Sequence, residues 1–177
     1  MKAIEIMNEE HKYILRMLQV IRKCCFKILN NEEIIYKVID FIRNYADNHH
    51  HKKEEKILFI KMVEELGEPA KKAVNQGMLV EHDLGRLHVR ELVAALEKVK
   101  AGEEEAKLDV IANAISYTHL LIRHIDKEDR VIYKFAERNL NDEVIKLIDD
   151  ECENYEINNE EIKNKYISIL EELEKRY

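Results

Sequence analysis

Apolar side chains recur at three- and four-residue steps along almost the whole chain, the spacing of one face of an α-helix. Ile4, Met7, Ile14, Leu15, Leu18 and Ile21, with His11 on the same stripe, predict a helix over residues 3–29, ended by Asn30-Asn31, which also cap the next. A second helix is expected from Glu32 through Phe41, Ile42 and Leu58 to about Glu65, where Gly67 and Pro69 supply a stop and a restart. A short helical piece follows over 69–75. The third long helix, from about Gln76 to Lys100, carries Met78, Leu79, His82, Val89, Leu92, Val93 and Leu96, and Ala101-Gly102 turns the chain. The fourth, from about Glu104 to Asn139, carries Ile111, Ile115, Leu120, Leu121, His124, Val131 and Ile132.

After Asn139-Leu140-Asn141 the pattern is more polar. An amphipathic run spans 144–152, a break falls near Asn158-Asn159, and a last helix reaches about Arg176. Ile157, Ile162, Tyr166, Ile169, Leu170 and Leu173 form a face for the bundle or for a second subunit, which makes the C-terminal helix a candidate homodimer surface. No linker divides the chain, so residues 1–177 read as one all-α domain, a bundle over about 1–138 with a helical extension over about 141–177.

Composition supports this and removes alternatives. Four glycines and one proline in 177 residues leave few places to turn, which favours long helices over a β architecture. With 37% charged residues and no long uncharged stretch, no membrane partner is expected. A formal net charge of −7, without a basic patch interleaved with aromatics, argues against a nucleic-acid partner. The N-terminus lacks the apolar stretch of a signal peptide, so a cytoplasmic location is expected. Cys24, Cys25 and Cys152 have no metal-ligand spacing and read as reduced thiols.

One helical signature is written twice. His50-His51-Lys52-Lys53-Glu54-Glu55-Lys56-Ile57-Leu58-Phe59 and His124-Ile125-Asp126-Lys127-Glu128-Asp129-Arg130-Val131-Ile132-Tyr133 match His to His, Lys to Lys and Glu to Glu. Each has an upstream partner, Glu10-His11 and Glu81-His82. Residues four apart stack on one helix face, so one helix offers an imidazole and a carboxylate to the same volume. Two such helices and two single-His helices facing one centre could hold a pair of metal ions.

Short motifs recur by accident, and HisxxxGlu begins at His50, His51 and His124. Placement carries the argument: His11, His82 and His124 share their faces with core residues, as do Glu54 and Glu128, and a carboxylate on an apolar face must be paired or metal-bound. Imidazole and carboxylate ligation suits iron, manganese or zinc. Two octahedral ions offer about twelve positions; four imidazoles, two bridging carboxylates and a solvent-derived bridge leave about one open on each ion. A small ligand such as dioxygen, peroxide or nitric oxide would bind there.

His49 and His51 rotate about 100° either way from His50 on an α-helix, so they are expected to face solvent or to support the ligands. His88 and His119 point away from the ligand face. Tyr117, seven residues before His124, could donate a hydrogen bond to a ligand. The Lys and Glu runs at 52–56 and 103–107 look like solvated faces. Ferritin-like GluxxHis, zinc-peptidase HisGluxxHis and a Gly-rich phosphate loop are absent.

At these residues the sequence resembles the hemerythrin-like, or HHE cation-binding, family. The resemblance rests on GluGluHis ending at His11, HisHisxLysGluGluxxLeuPhe from His50 to Phe59, GluHisAspxGlyArg from Glu81 to Arg86, and HisIlexLysGluAsp from His124 to Asp129. It implies an up-down four-helix bundle around two non-haem iron ions, oxo- or hydroxo- and carboxylate-bridged, other divalent metals also being accommodated. Matching position by position implicates His11, His50, Glu54, His82, His124 and Glu128 as ligands, the glutamates as bridges. In the oxygen-carrying members the third helix gives two histidines four apart, whereas here His82 is followed by Arg86. Arg86 is expected to lie over the site and steady an anionic ligand or pair with a bridging glutamate. Asp129 stands where the carriers place an aspartate, a secondary candidate for the role of Glu128. The expected function is binding or sensing of dioxygen, nitric oxide or peroxide. The alternatives are a redox enzyme acting on peroxide or nitric oxide or handling iron in damaged centres, and an interaction module that the metal staples.

Overall fold

The computed structural model describes residues 1–28 and 32–177, with the side chains of 24, 26–28 and 32 excepted. The expected Asn30-Asn31 cap lies outside the described residues. Within them the chain is helical, with no strand. Four rods, α1 (Lys2–Ile28), α2 (residues 32–66), α3 (residues 68–100) and α4 (residues 106–139), form a bundle. Two further helices, α5 (Asp142–Asn158) and α6 (Glu160–Arg176), lie against it. α1 touches α2 and α4, and α3 packs along α4 and against α2, so the rods close a ring around one interior.

Local chemistry sets the ends. Gly67 breaks the helix with φ 64° and ψ −147°, a conformation that glycine adopts without a Cβ penalty, and Pro69 sits in the first turn of α3. Gly102, at φ 94°, turns the chain from α3 toward α4. The Asn141 side chain accepts a hydrogen bond from the Val144 amide and caps α5. One expectation fails here: the piece over 69–75 is not separate from the third helix. A π-wound turn, Val74–Met78, carries the chain through Asn75-Gln76-Gly77 without a break.

Similar wide turns occupy Ile42–His51, Glu54–Leu58 and Glu128–Ile132. A π-turn bonds i to i+5 and rotates each residue by less than the ~100° of an α-helix. The segments that carry the repeated signature are therefore wound differently from the helix that the spacing argument assumes.

The interior has two apolar clusters. One gathers Ile14, Leu18, Ile21, Phe41, Tyr45, Val89, Leu92, Val110 and Leu121 with Tyr166, Leu170 and Leu173 of α6. The other gathers Ala3, Met7, Leu58, Phe59, Met62, Met78, Tyr133 and Ala136 with Ile148 and Cys152 of α5. Between them, at the level of His11, lies a slab of buried polar side chains. The extension thus packs Tyr166, Leu170 and Leu173 on its own bundle, while Ile157 and Ile162 stay exposed. Cys25 and Cys152 are buried free thiols, and burial pushes Cys152 up to about 12, so it is held as an unreactive thiol. Among the described residues no helix is long and apolar enough to cross a membrane.

Candidate metal centre

The polar slab brings together His11 from α1, His50 and Glu54 from α2, His82 from α3, and His124 and Glu128 from α4, all buried. Their donor atoms fall into two groups. His11, His50, Glu54 and Glu128 form one, and Glu54, His82 and His124, joined by His51, form the other; within each group every donor lies within 4.8 Å of the rest. Glu54 belongs to both, its Oε2 being 3.6 Å from His50 Nε2 and 3.5 Å from His82 Nε2. Glu128 also spans them, with Oε2 3.3 Å from His11 Nε2 and Oε1 3.0 Å from His124 Nε2.

A ring of carboxylates stands behind the imidazoles. The Nδ1 atoms face Asp129 for His11 (2.6 Å), Glu10 for His50 (2.9 Å), Glu55 for His82 (2.7 Å) and Glu81 for His124 (2.9 Å). An Nδ1–H donated outward fixes the tautomer and turns the Nε2 lone pair toward the centre, as metal-binding histidines require. The pattern is twofold. The acid before each single histidine, Glu10 or Glu81, orients the histidine of a repeated signature, and the second acid of each signature, Glu55 or Asp129, orients a single histidine. Aromatic rings complete it: Phe59 lies over His82 at 6.0 Å, and Tyr133, its counterpart in the second copy, stacks on His11 at 5.6 Å.

Tyr133 was not singled out by the sequence pattern, yet its hydroxyl donates to Glu54 Oε1 at 2.5 Å. The signal was the one difference between the aligned aromatics, a phenol in place of a phenyl ring. Tyr117 is buried and lines a cavity beside His51 and His82. Asp129 sits behind His11 and is 39% exposed, so it supports a histidine rather than taking the interior place of Glu128. His88 and His119 lie outside both groups; His88 pairs with Asn113 and His119 with Arg22.

Three expectations need correction. Of the two alternatives for His49 and His51, facing solvent or supporting the ligands, the first fails: both are buried, because the wide turn Ile42–His51 keeps three successive histidines on the interior side. His49 donates to Glu10 at 2.9 Å, and His51 joins His82 and His124. Arg86 does not pair with the bridging glutamates; its guanidinium engages Asp47, Glu55 and Asp83 at 2.7–3.0 Å. The run at 52–56 is not wholly solvated, since Lys53 is fully buried and donates to Glu10 at 2.5 Å and to Glu156 of α5. A third cluster of acceptors, Glu10, His49 and Glu156, is therefore already filled by an ammonium.

Do these residues fit a cation pair? His50 Nε2, Glu54 Oε2 and both oxygens of Glu128 are buried without a hydrogen-bond partner, although they are surrounded by polar groups. Such orphans are costly unless something else satisfies them. His82 Nε2 and His124 Nε2 stand 3.0 Å apart, close to the ~3.0 Å between two nitrogens at right angles on one ion with bonds of about 2.1 Å. No thiolate enters the set. The donors fit hard or borderline ions, iron, manganese or zinc among them.

Without a cation the cluster holds protons instead. Burial alone would lower His11, His82 and His124, but the carboxylates around them reverse this and push them up to about 9, 9 and 10. Burial, and then the charge of Glu128, raise Glu54 so that it keeps its proton, whereas the imidazolium groups outweigh burial and hold Glu128 ionised. His50 falls to about 4 and His51 well below its usual range, chiefly through burial. A cation must displace the protons of His11, His82, His124 and Glu54. Its affinity is expected to rise with pH toward about 9–10, with protons released on loading at neutral pH. Competition titrations across that range, with proton release followed in weak buffer, check this; a flat profile would contradict it.

Comparison with known proteins gives one match. The family model described as the hemerythrin HHE cation-binding domain covers residues 2–136. No curated protein and no solved structure gave a significant match.

Proposed function

Because the chain belongs to the hemerythrin HHE cation-binding family, we propose that it is a non-haem di-iron protein that binds or senses a small oxidant, dioxygen, nitric oxide or peroxide. The observation that carries this reading is the pair of donor groups sharing Glu54 and flanked by Glu128, with buried acceptors left unpartnered at the point where they meet. His11 and His50 would hold one ion, His82 and His124 the other, and Glu54 and Glu128 would bridge them. The ion pair, when bound, supplies open coordination positions and reversible one-electron chemistry.

The chain's own residues do the rest. The outer carboxylates keep each imidazole in its ligating tautomer, and the two apolar clusters keep bulk water from the donors. A cavity of about 130 Å³ lined by Asp47, His51, His82, Gly85, Arg86 and Tyr117 lies beside the donor group of His82 and His124. The runner-up, redox turnover of peroxide or nitric oxide, is favoured by Tyr133, a buried phenol whose hydroxyl donates to Glu54 beside the donor groups.

Metal analysis with absorption spectra of aerobically purified protein, before and after reduction and re-exposure to air, tests the reading. Two irons per chain with bands that vanish on reduction and return in air are expected. Turnover of added peroxide would move the assignment to the enzyme, and a chain holding less than one ion with no air-dependent band would overturn both.

A further inference from the structure

The twofold match between the halves of the centre fails at one corner. Asp47, His51 and Arg86 correspond by position to Leu121, Ile125 and Leu15, so three apolar places in one half are polar in the other. These polar residues are connected. His51 turns Nδ1 toward Asp47 Oδ1 at 3.4 Å; the same oxygen accepts from Arg86 Nε at 2.9 Å, and Arg86 Nη2 donates to Glu55 Oε1 at 2.7 Å. Glu55 in turn holds His82. One guanidinium thus ties together the carboxylates behind two adjacent imidazoles, whose rings lie parallel with centroids 3.9 Å apart.

His51 repeats the arrangement of the other four histidines: buried, Nδ1 on a carboxylate, the remaining nitrogen turned to the centre among Glu54, His82 and His124. Resting on the two-ion reading above, we propose that His51 is a fifth imidazole ligand, to the ion held by His82 and His124, and that Arg86 acts through Asp47 as its positioning residue. The ions are then inequivalent. One has three imidazoles and the other two, so with both glutamates bridging, the more open position belongs to the ion beside His11, His50 and Tyr133. Arg86 thereby occupies a place where a histidine could have ligated, while securing a ligand from the neighbouring helix.

Chelator challenge of iron-loaded protein tests this without reference to activity. Wild type is expected to keep two ions, and His51→Gln to lose one of them at least about tenfold faster; Arg86→Gln should loosen the same ion by about 10- to 100-fold in affinity. His88→Gln, altering a histidine outside both donor groups that pairs with Asn113, should keep both. A His51→Gln protein that keeps two ions at wild-type rates would overturn the proposal. Should that variant fail to fold, the Mössbauer spectrum of the ⁵⁷Fe(II)-loaded wild type decides: two distinct doublets of equal area support inequivalent ions, and a single doublet removes them. Wild type unable to hold two ions would instead sink the di-iron reading itself.

Discussion

Glu128→Gln is expected to lower the affinity for the second ion by more than about 100-fold, beyond the 10- to 100-fold cost usual for losing a group that merely supports a ligand. It is also expected to destabilise the metal-free protein by about 3–5 kcal/mol near pH 6, the cost of removing one partner from a buried charge cluster. The reason is shared. Glu128 is fully buried and faces His11, His82 and His124, so on the two-ion reading it joins the cations, and without them it is the counter-charge for three imidazolium groups. The pH dependence follows from the raised histidines. Their stabilisation is complete below the ordinary imidazole range and is lost as pH rises through about 9–10, so the gap between wild type and variant should narrow over that interval. Denaturant melts of metal-free protein at several pH values measure it. A gap that is constant with pH, or a variant that retains both ions, would show that Glu128 is not the shared anion.

Lys53→Met is expected to cost about 3–5 kcal/mol as well, although the Lys53 side chain is not itself a proposed metal ligand. The Lys53 ammonium is fully buried between Glu10 and Glu156, and removing it leaves two carboxylates facing each other with His49, His50 and Lys163 to answer them. A solvated lysine would cost less than about 0.5 kcal/mol, so the result separates the two placements of this residue. The double variant Lys53→Met/Glu156→Gln should recover part of the loss, since one stranded charge is gone, and the cycle isolates the pair. Hydrogen exchange should show α5 opening first, because Glu156 ties it to the bundle.

Much of this was legible in the chain. The repeated HisxxxGlu signature and its acidic-His partners gave six of the proposed ligands, all but His51, and the three- and four-residue stripes gave the four rods, because the amphipathic faces are long and uninterrupted. What stayed hidden depends on how the helix is wound. The ~100° step of an α-helix separates His50 from its neighbours, whereas the wide turn Ile42–His51 keeps His49 and His51 inside. Lys53 could not be read as buried, because its counter-ions come from α1 and α5, 43 and 103 residues away. The break expected between the short piece over 69–75 and the third helix is absent, since a π-turn carries the chain through it. Glu10 and Glu81 were visible as companions of His11 and His82, but their service to His50 and His124 exists only once α2 and α4 lie beside them.

The reach of α5 into the bundle has a consequence for where this molecule can be cut. The family match stops at residue 136, yet Glu156, Asp149 and Glu174 beyond it clasp Lys53, the Ala3 amide and Arg16. A chain trimmed at that boundary would leave the Lys53 ammonium to Glu10 alone and open to water, pulling on Glu10 and so on His50. Heat tolerance and metal retention are expected to fall together, which would make the last forty or so residues part of the working unit and not an appendage to it.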